Sequence, residues 1–344
     1  MEKKRLLVVG NPVPEDWEFR RGVEAASGQA WDVRVSVINR YDGLHRFTRY
    51  LTYFFAPLRL LFLRNRYEKI VYWEQFLGLV LAFYCRLFRV RTCPELTIMA
   101  LIYKPKKGFL GRIFAWFVQY AVTSDYVKRI IVYSQSEVEY YSGLFHVARE
   151  KFRWELLGIA DDARTGSDPG GVPEGKYYIA AGRSNRDYAF LRSAWPEDQG
   201  TVYVVCDVER SQDTERIKYE KDCHGEAYLR LLAGAYASIV PLESEEFSSG
   251  QLVFLQSAML GVPVSATRNQ TVYDYIREGE TGLIIEKSAE ALRQALDTLD
   301  RQEVYQSMRK AARTHFERSF RLYELGKRVG EAVCAGTTGE GERG

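Results

Sequence analysis

The feature of this sequence that most narrows its fold is an alternation of β-rich runs with apolar helical stretches that halts once and then restarts. Strand-like runs stand at 5–9, 33–38, 69–73, 95–102 and 129–133, with helical patterns at 75–88, 110–121 and 137–145. This βαβα rhythm predicts a parallel sheet covered on both faces. It stops at 161–175, where Gly166, Gly170, Gly171, Gly175, Pro169 and Pro173 read as a linker. It resumes with strands at 177–181, 202–206, 237–241 and 264–266 and helices at 188–195, 226–235 and 251–260. The stretch 289–333 is mostly helical. A chain of 344 residues exceeds the size at which one core keeps growing. Two α/β domains are therefore expected, 1–162 and 163–330, with the final helix returning to the first and a frayed tail at 331–344. Open parallel sheets bind ligands beyond the carboxyl ends of their strands, so the site is expected in a cleft between the two domains.

Charge and cysteine usage exclude several classes. A net charge of +3 is far below that of a protein that binds nucleic acid through its global charge, so no nucleic-acid partner is expected. The five cysteines, at 85, 93, 206, 223 and 334, show neither CxxC nor Cys/His ligand spacing. Buried reduced thiols of a cytoplasmic protein fit better than a disulfide framework or a zinc site. The apolar run 6–9 is too short for the core of a secretory signal. The most apolar stretches, 51–63 and 76–88, are interrupted by arginine or fall short of the ~20 residues that span a bilayer. No GxGxxG follows the first strand, which argues against a dinucleotide oxidoreductase.

Three segments carry a family resemblance. Residues 129–161 read RIIVYSQSEVEYYSGLFHVAREKFRWELLGIAD, and residues 178–187 read YIAAGRSNRD. Residues 233–286 contain AYASIVPLE, SSGQLVFLQSAMLGVPVSAT and YDYIREGETGLII. Over 125–330 the chain resembles the family 4 glycosyltransferases of the GT-B fold; before that the likeness is one of architecture. The resemblance implies two Rossmann-like α/β/α domains facing a cleft, with the acceptor on the first and a nucleotide sugar on the second. It implies hexosyl transfer from a UDP or GDP sugar, metal-independent and retaining, with no cofactor beyond that co-substrate. The family carries two glutamates, one holding the donor sugar and one the ribose. Aligned on Gly261-Val262-Pro263-Val264, those positions are Ser248 and Gln256 here. Gln256 can hydrogen-bond a ribose hydroxyl. Ser248 cannot replace a carboxylate that grips sugar hydroxyls, which leaves Glu245 or Glu246, close by in the loop, as candidates.

The same segments have a chemistry of their own. Pro241 closes a strand and residues 243–249 form a polar loop. Gly250 lets the backbone approach a ligand closely, and the free N–H groups of the helix beginning at Gln251 favour a diphosphate. The plainer account is an ordinary βα loop with Ser248 or Ser249 as the helix N-cap. Arg183 and Arg186 follow the strand 177–181, and their guanidinium forks suit a diphosphate. Asp187 either orients Arg186 or caps the next helix. His224 precedes a helix, and the resemblance to the GT-B fold implies that the base and ribose of a donor would lie near such a loop.

In the first half, 47–66 reads FTRYLTYFFAPLRLLFLRNR and 104–117 reads KPKKGFLGRIFAWF. Arg46, Arg49 and Arg59 accompany the first segment and Lys104, Lys106, Lys107 and Arg112 the second, each beside aromatics. Such basic, aromatic amphipathic stretches suit an anionic membrane surface, although amphipathic helices ordinarily bury their apolar face in a core. The expectation is a cytoplasmic protein, peripheral at the inner face of the membrane, acting on a lipid-linked glycan or polysaccharide precursor of the cell envelope. A catalytic base would come from a loop after a parallel strand: Glu74, Glu15 or Asp16. The alternative is a non-catalytic GT-B-shaped subunit that binds a partner transferase or a glycan. A phosphorylase or epimerase of the same shape is a third reading, without a lysine motif for free phosphate to support it.

Overall fold

The computed structural model describes residues 3–36, 45–164, 172–207, 213–246 and 248–335, with backbone only for 45–50. The expected strand end at 37–38, the side chains of Arg46 and Arg49, the linker at 165–171 and the tail from 336 lie outside the described residues. The chain divides into two compact units: residues up to Glu155 together with those from Leu325 on, and Leu156–Glu324.

In the first unit β1 (Lys4–Val9), β2 (Asp32–Val35), β3 (Tyr67–Tyr72), β4 (Glu95–Ile98), β5 (Val127–Val132) and β6 (Phe152–Trp154) pair in parallel in the order β2-β1-β3-β4-β5-β6. The connecting helices are α1 (Glu18–Ser27), α2 (His45–Leu63), α3 (Gln75–Leu87), α4 (Gly108–Val122) and α5 (Gln135–Phe145). Leu6 to Val9 and Ile70 to Tyr72 are buried without alternation, as strands covered on both faces must be. α2 packs on α3, and α3 on α4.

The second unit repeats the plan. Its strands are β7 (Tyr177–Ala181), β8 (Thr201–Val205), β9 (Ile217–Glu220), β10 (Ala237–Val240), β11 (Val264–Thr267) and β12 (Gly282–Ile285). They pair in parallel in the order β12-β11-β10-β7-β8-β9. Its helices are α6 (Tyr188–Ala194), α7 (Gly225–Gly234), α8 (Gln251–Leu260), α9 (Val272–Tyr275), α10 (Ala289–Leu299) and α11 (Gln302–His315), and a π-helical turn, Phe316–Phe320, continues α11. Tyr177, Ile179 and Ala181 of β7 face a core shared with α7 and α8. Tyr178 and Ala180 face the opposite core with α10 and Met308. Chain order reverses between β7 and β10, so the loops leaving these two strands flank a topological switch point. Leu156, Leu157 and Ile159 pack on the first of the two cores, and Ile159 N–H donates to Phe320 C=O at 2.9 Å. The second unit therefore begins at Leu156 rather than after residue 162.

The last helix, α12 (Leu322–Cys334), returns to the first unit from Leu325 on. Gly326 and Gly330 make a seam with α1. A Cβ on Gly326 would stand 2.2 Å from the Phe19 carbonyl oxygen, and one on Gly330 2.9 Å from that of Val23. Lys69, 3% exposed, donates to the Val333 carbonyl at 2.8 Å and pairs with Glu95 at 3.3 Å. Residues 331–334 are thus packed helix, not part of a frayed tail. Sequence reading passed over α1, β6, β9 and β12. β9 turns just Ile217 and Tyr219 inward, too brief an alternation to stand out. None of the described helices is long and apolar enough to cross a membrane.

Candidate functional site

The rim beyond the carboxyl ends of the second sheet is a network of side chains that tie one loop to the next. β7 ends at Ala181, and Gly182 follows with φ 122°; a Cβ there would lie 2.8 Å from the Arg186 guanidinium. Arg186 curls back over this bend. Its Nε donates to Ala181 C=O at 2.9 Å and Nη1 to Ser184 C=O at 2.9 Å. Burial pulls its pKa down, with Tyr188 and Tyr228 acting the other way, yet a guanidinium stays charged. Among the described residues no carboxylate pairs with it. Arg186 is therefore a half-buried positive charge that bonds the carbonyls of its own loop.

Arg183 is the exposed member of the pair. Its Nε lies 3.1 Å from Asp207 Oδ2, beyond β8, and its Nη2 approaches His224 Nε2 at 3.2 Å, beyond β9. One side chain thus joins three loops and brings together two residues expected from sequence. Asp187 caps α6 by accepting from Phe190 N–H at 2.8 Å and pairs with Lys287 at 2.5 Å, which settles its role as a cap.

The loop after β10 is pinned by two asparagines that sequence reading missed. Asn185 adopts φ 54° and accepts from Ser244 N–H at 2.9 Å through its side-chain oxygen. Its Nδ2 donates to Ser249 Oγ at 2.8 Å and to Ser244 C=O at 3.1 Å. Asn269, 1% exposed, donates to the same carbonyl at 2.8 Å. Ser248 accepts from the Gln251 side chain, so neither expected serine caps α8. The N-cap is Gly250, with φ 96° and no side-chain cap. A glycine N-cap has no side chain of its own to offer the first-turn N–H groups of α8, which carry the positive end of the helix dipole and favour an anion. A Cβ on Gly250 would come within 2.5 Å of the Phe254 ring, so this glycine is required by its own helix as well as by any ligand. Gln256 is half-buried one turn further on, and Glu246 is exposed in the loop.

In the first unit Glu74 and Asp16 follow β3 and β1, the strands that flank this sheet's own reversal of order. Asp16 is exposed. Glu74 is the N-cap residue of α3, and burial raises its carboxyl pKa above the ordinary 4.5. Trp17 and Phe19 each pack edge-on against Trp73 and tilted against each other beside these loops, with ring centroids 4.9–5.5 Å apart.

The helix layer α2–α4 contains no Asp or Glu. It exposes large apolar side chains: Phe55 62%, Phe62 75%, Phe88 58%, Phe109 68%, Leu110 78% and Trp116 56%. Arg59, Lys104, Lys106, Lys107 and Arg112 are exposed on the same layer or on the segment leading into α4. Among the described residues no group of His, Cys, Asp or Glu could hold a metal ion. Cys85 and Cys93 have their sulfurs 3.1 Å apart, and Cys93, Cys223 and Cys334 are half-buried rather than fully buried.

Two six-stranded parallel sheets flanked by helices define the two-domain α/β GT-B fold. Solved structures match it over nearly the whole chain. Anabaena HepE in complex with UDP superposes with a TM-score of 0.68 at 13% identity, covering 96% of this chain and 100% of that one. Sucrose-phosphate synthase from Thermosynechococcus elongatus gives 0.66 at 15%, covering 96% and 98%. WaaG, a glycosyltransferase involved in lipopolysaccharide biosynthesis, gives 0.61 at 14%, covering 96% and 99%. No protein-family model and no curated protein matches the chain.

Proposed function

We propose that this protein is a glycosyltransferase that moves a hexosyl group from a UDP or GDP sugar to a lipid-linked glycan at an anionic membrane surface. One observation carries the donor half of this reading. At the switch point of the second sheet, an α8 N-terminus with a glycine N-cap shares a rim with Arg183 and the half-buried charge of Arg186. That combination favours a diphosphate and supplies its counter-charge without a metal. The similar fold of HepE, solved with UDP and with UDP-glucose, supports the same choice of ligand. In this reading Arg183 and the α8 N-terminus, with Ser248, Ser249, Gly250 and Gln251 around it, hold the diphosphate. Gln256 holds the ribose, His224 lies toward the base, and Glu246 reaches the donor sugar. Glu74 or Asp16 provides a base if the transfer uses one; a retaining transfer does without. The acidic-free, apolar and cationic layer α2–α4 supports a membrane-borne acceptor and a place at the inner face of the membrane.

Calorimetry of UDP and GDP tests the donor half. Wild-type protein is expected to bind one of them well below millimolar, and Arg183→Ala to weaken it about tenfold. Affinity no better than millimolar for both nucleotides removes the proposal. A GT-B-shaped subunit that binds without transferring is a second reading, resting on Ser248 and Gln256 where the resembled family has glutamates. Nucleotide binding with neither transfer nor hydrolysis of a nucleotide sugar would favour it.

A further inference from the structure

A cavity of about 290 Å³ opens on the second unit where the strands begin, not where they end. Its walls are the turn that leads into β12, the outer face of α11 and the π-helical turn. Residues around Arg277 enter β12, whereas the rim described above is where β7 and β10 leave the sheet. Strands of four or five residues separate the two rims by roughly 15 Å, so this cavity is not a subsite of the donor rim.

The charges lining it are unbalanced. Arg277, Lys310 and Arg318 face the cavity, against a single carboxylate, Glu280, which lies 3.3 Å from Arg277. Neither Lys310 nor Arg318 has a carboxylate partner among the described residues. Arg313, close in sequence, is by contrast fully spent: it binds Asp161 through both terminal nitrogens, at 3.0 and 2.7 Å, and Glu317 at 2.8 Å. Arg277 is held in place by its backbone, since its N–H donates to Thr281 Oγ1 at 2.9 Å and its C=O accepts from Thr281 N–H at 2.9 Å. His315 forms part of the wall with its ring edge-on to Phe320 at 4.5 Å. Burial and the nearby Arg277 lower its pKa to about 4, so at neutral pH the ring is uncharged and offers one donor and one acceptor. The π-turn interrupts the regular coil where Arg318 joins the wall, a distortion that recurs at functional sites.

We propose that this cavity is a binding site for a small soluble phosphate monoester. Three cations against one carboxylate leave a formal excess of two positive charges, which matches the roughly −1.5 to −2 of such a phosphate at neutral pH. Arginine forks from two sides suit phosphoryl oxygens. The volume exceeds that of a bare phosphate and stands at the low end of small-molecule sites, about 300–1,000 Å³. It therefore takes a short carbon skeleton as well, with the hydroxyls of Ser307 and Thr314 within the same wall.

The experiment is calorimetric titration of glycerol 3-phosphate into the full chain at low ionic strength. One site is expected. Lys310→Ala and Arg318→Ala should each weaken it about tenfold or more, and Ala311→Trp, which fills the cavity, should abolish it. Arg183→Ala, on the opposite rim, should leave it unchanged. Lys310 and Arg318 are exposed, so their variants fold even if the tryptophan disturbs α11. Equal affinity in wild type and both charge variants overturns the proposal, as does a loss confined to Arg183→Ala. Flotation on phosphatidic-acid vesicles that depends on Lys310 and Arg318, without binding of glycerol 3-phosphate, overturns it in favour of a lipid headgroup.

Discussion

At the rim of the second sheet the polar side chains serve one another: Asn185 holds Ser244 and Ser249, Asn269 holds Ser244, and Arg183 spans Asp207 and His224. On α2, α3 and α4 of the first unit, which carry no acids, Phe62, Phe109 and Leu110 instead stand in solvent among basic side chains. Both regions sit on the same kind of parallel sheet. The rim spends hydrogen bonds to hold a fixed geometry, as recognition of a small ligand demands. The helix layer leaves apolar surface uncovered, which suits a broad surface that needs charge and area more than geometry. The two should therefore respond differently to substitution.

The largest effect is expected on the helix layer. Changing Lys104, Lys106, Lys107 and Arg112 together to Ser removes about 1 kcal/mol per cation against an anionic bilayer, so binding to phosphatidylglycerol vesicles at low salt should fall roughly a thousandfold. Flotation that survives in the quadruple variant breaks the comparison, because the layer would then not be an electrostatic surface. Next comes Asn185→Ala, which orphans polar groups on the loop after β10 at about 1–3 kcal/mol. UDP affinity should drop at least about tenfold while vesicle binding stays as in wild type; loss of both would mean that the two regions are not independent. Gly250→Ala forces φ 96° and a clash with Phe254, so thermal unfolding should show a loss of about 1–3 kcal/mol.

The smallest effect belongs to Glu74. Burial raises its pKa, so the folded state binds its proton more tightly than the unfolded state does. Stability is therefore fully supported below the ordinary value of 4.5 and declines as pH rises from there through the raised value. Glu74→Gln should flatten that part of the urea-derived stability profile. An unchanged slope would show that Glu74 is as solvated as an ordinary helix-terminal carboxylate.

How much of this was legible in the sequence follows the range of the interactions. The alternating strands and the break between them depend on residues a few positions apart, and they identified the doubly repeated α/β plan. Gly250 and Arg183 stood out because a strand end followed by a loop and a helix is a local signal. Asn185 did not: its partners Ser244 and Ser249 are some sixty positions away, and its left-handed backbone leaves no mark in composition. Arg186 stood out by its place after a strand, but its bonds to the carbonyls of its own loop did not, since no local pattern tells a guanidinium that bonds its own loop from one that reaches out. The seam between α1 and α12 escaped for the same reason, because Gly326 and Gly330 meet Phe19 and Val23 across almost the whole chain.

That seam also sets a timetable for the ribosome. The first unit lacks its closing helix until the whole of Leu156–Glu324 has been made, an interval of roughly ten to thirty seconds at ordinary elongation rates. Throughout it, the groove along α1 awaits a helix that does not yet exist, and Lys69 has Glu95 but not yet the Val333 carbonyl. The nascent chain thus carries an unfinished first half while its second half becomes able to fold, and a premature stop just before Leu325 would strand the earlier half rather than the later one.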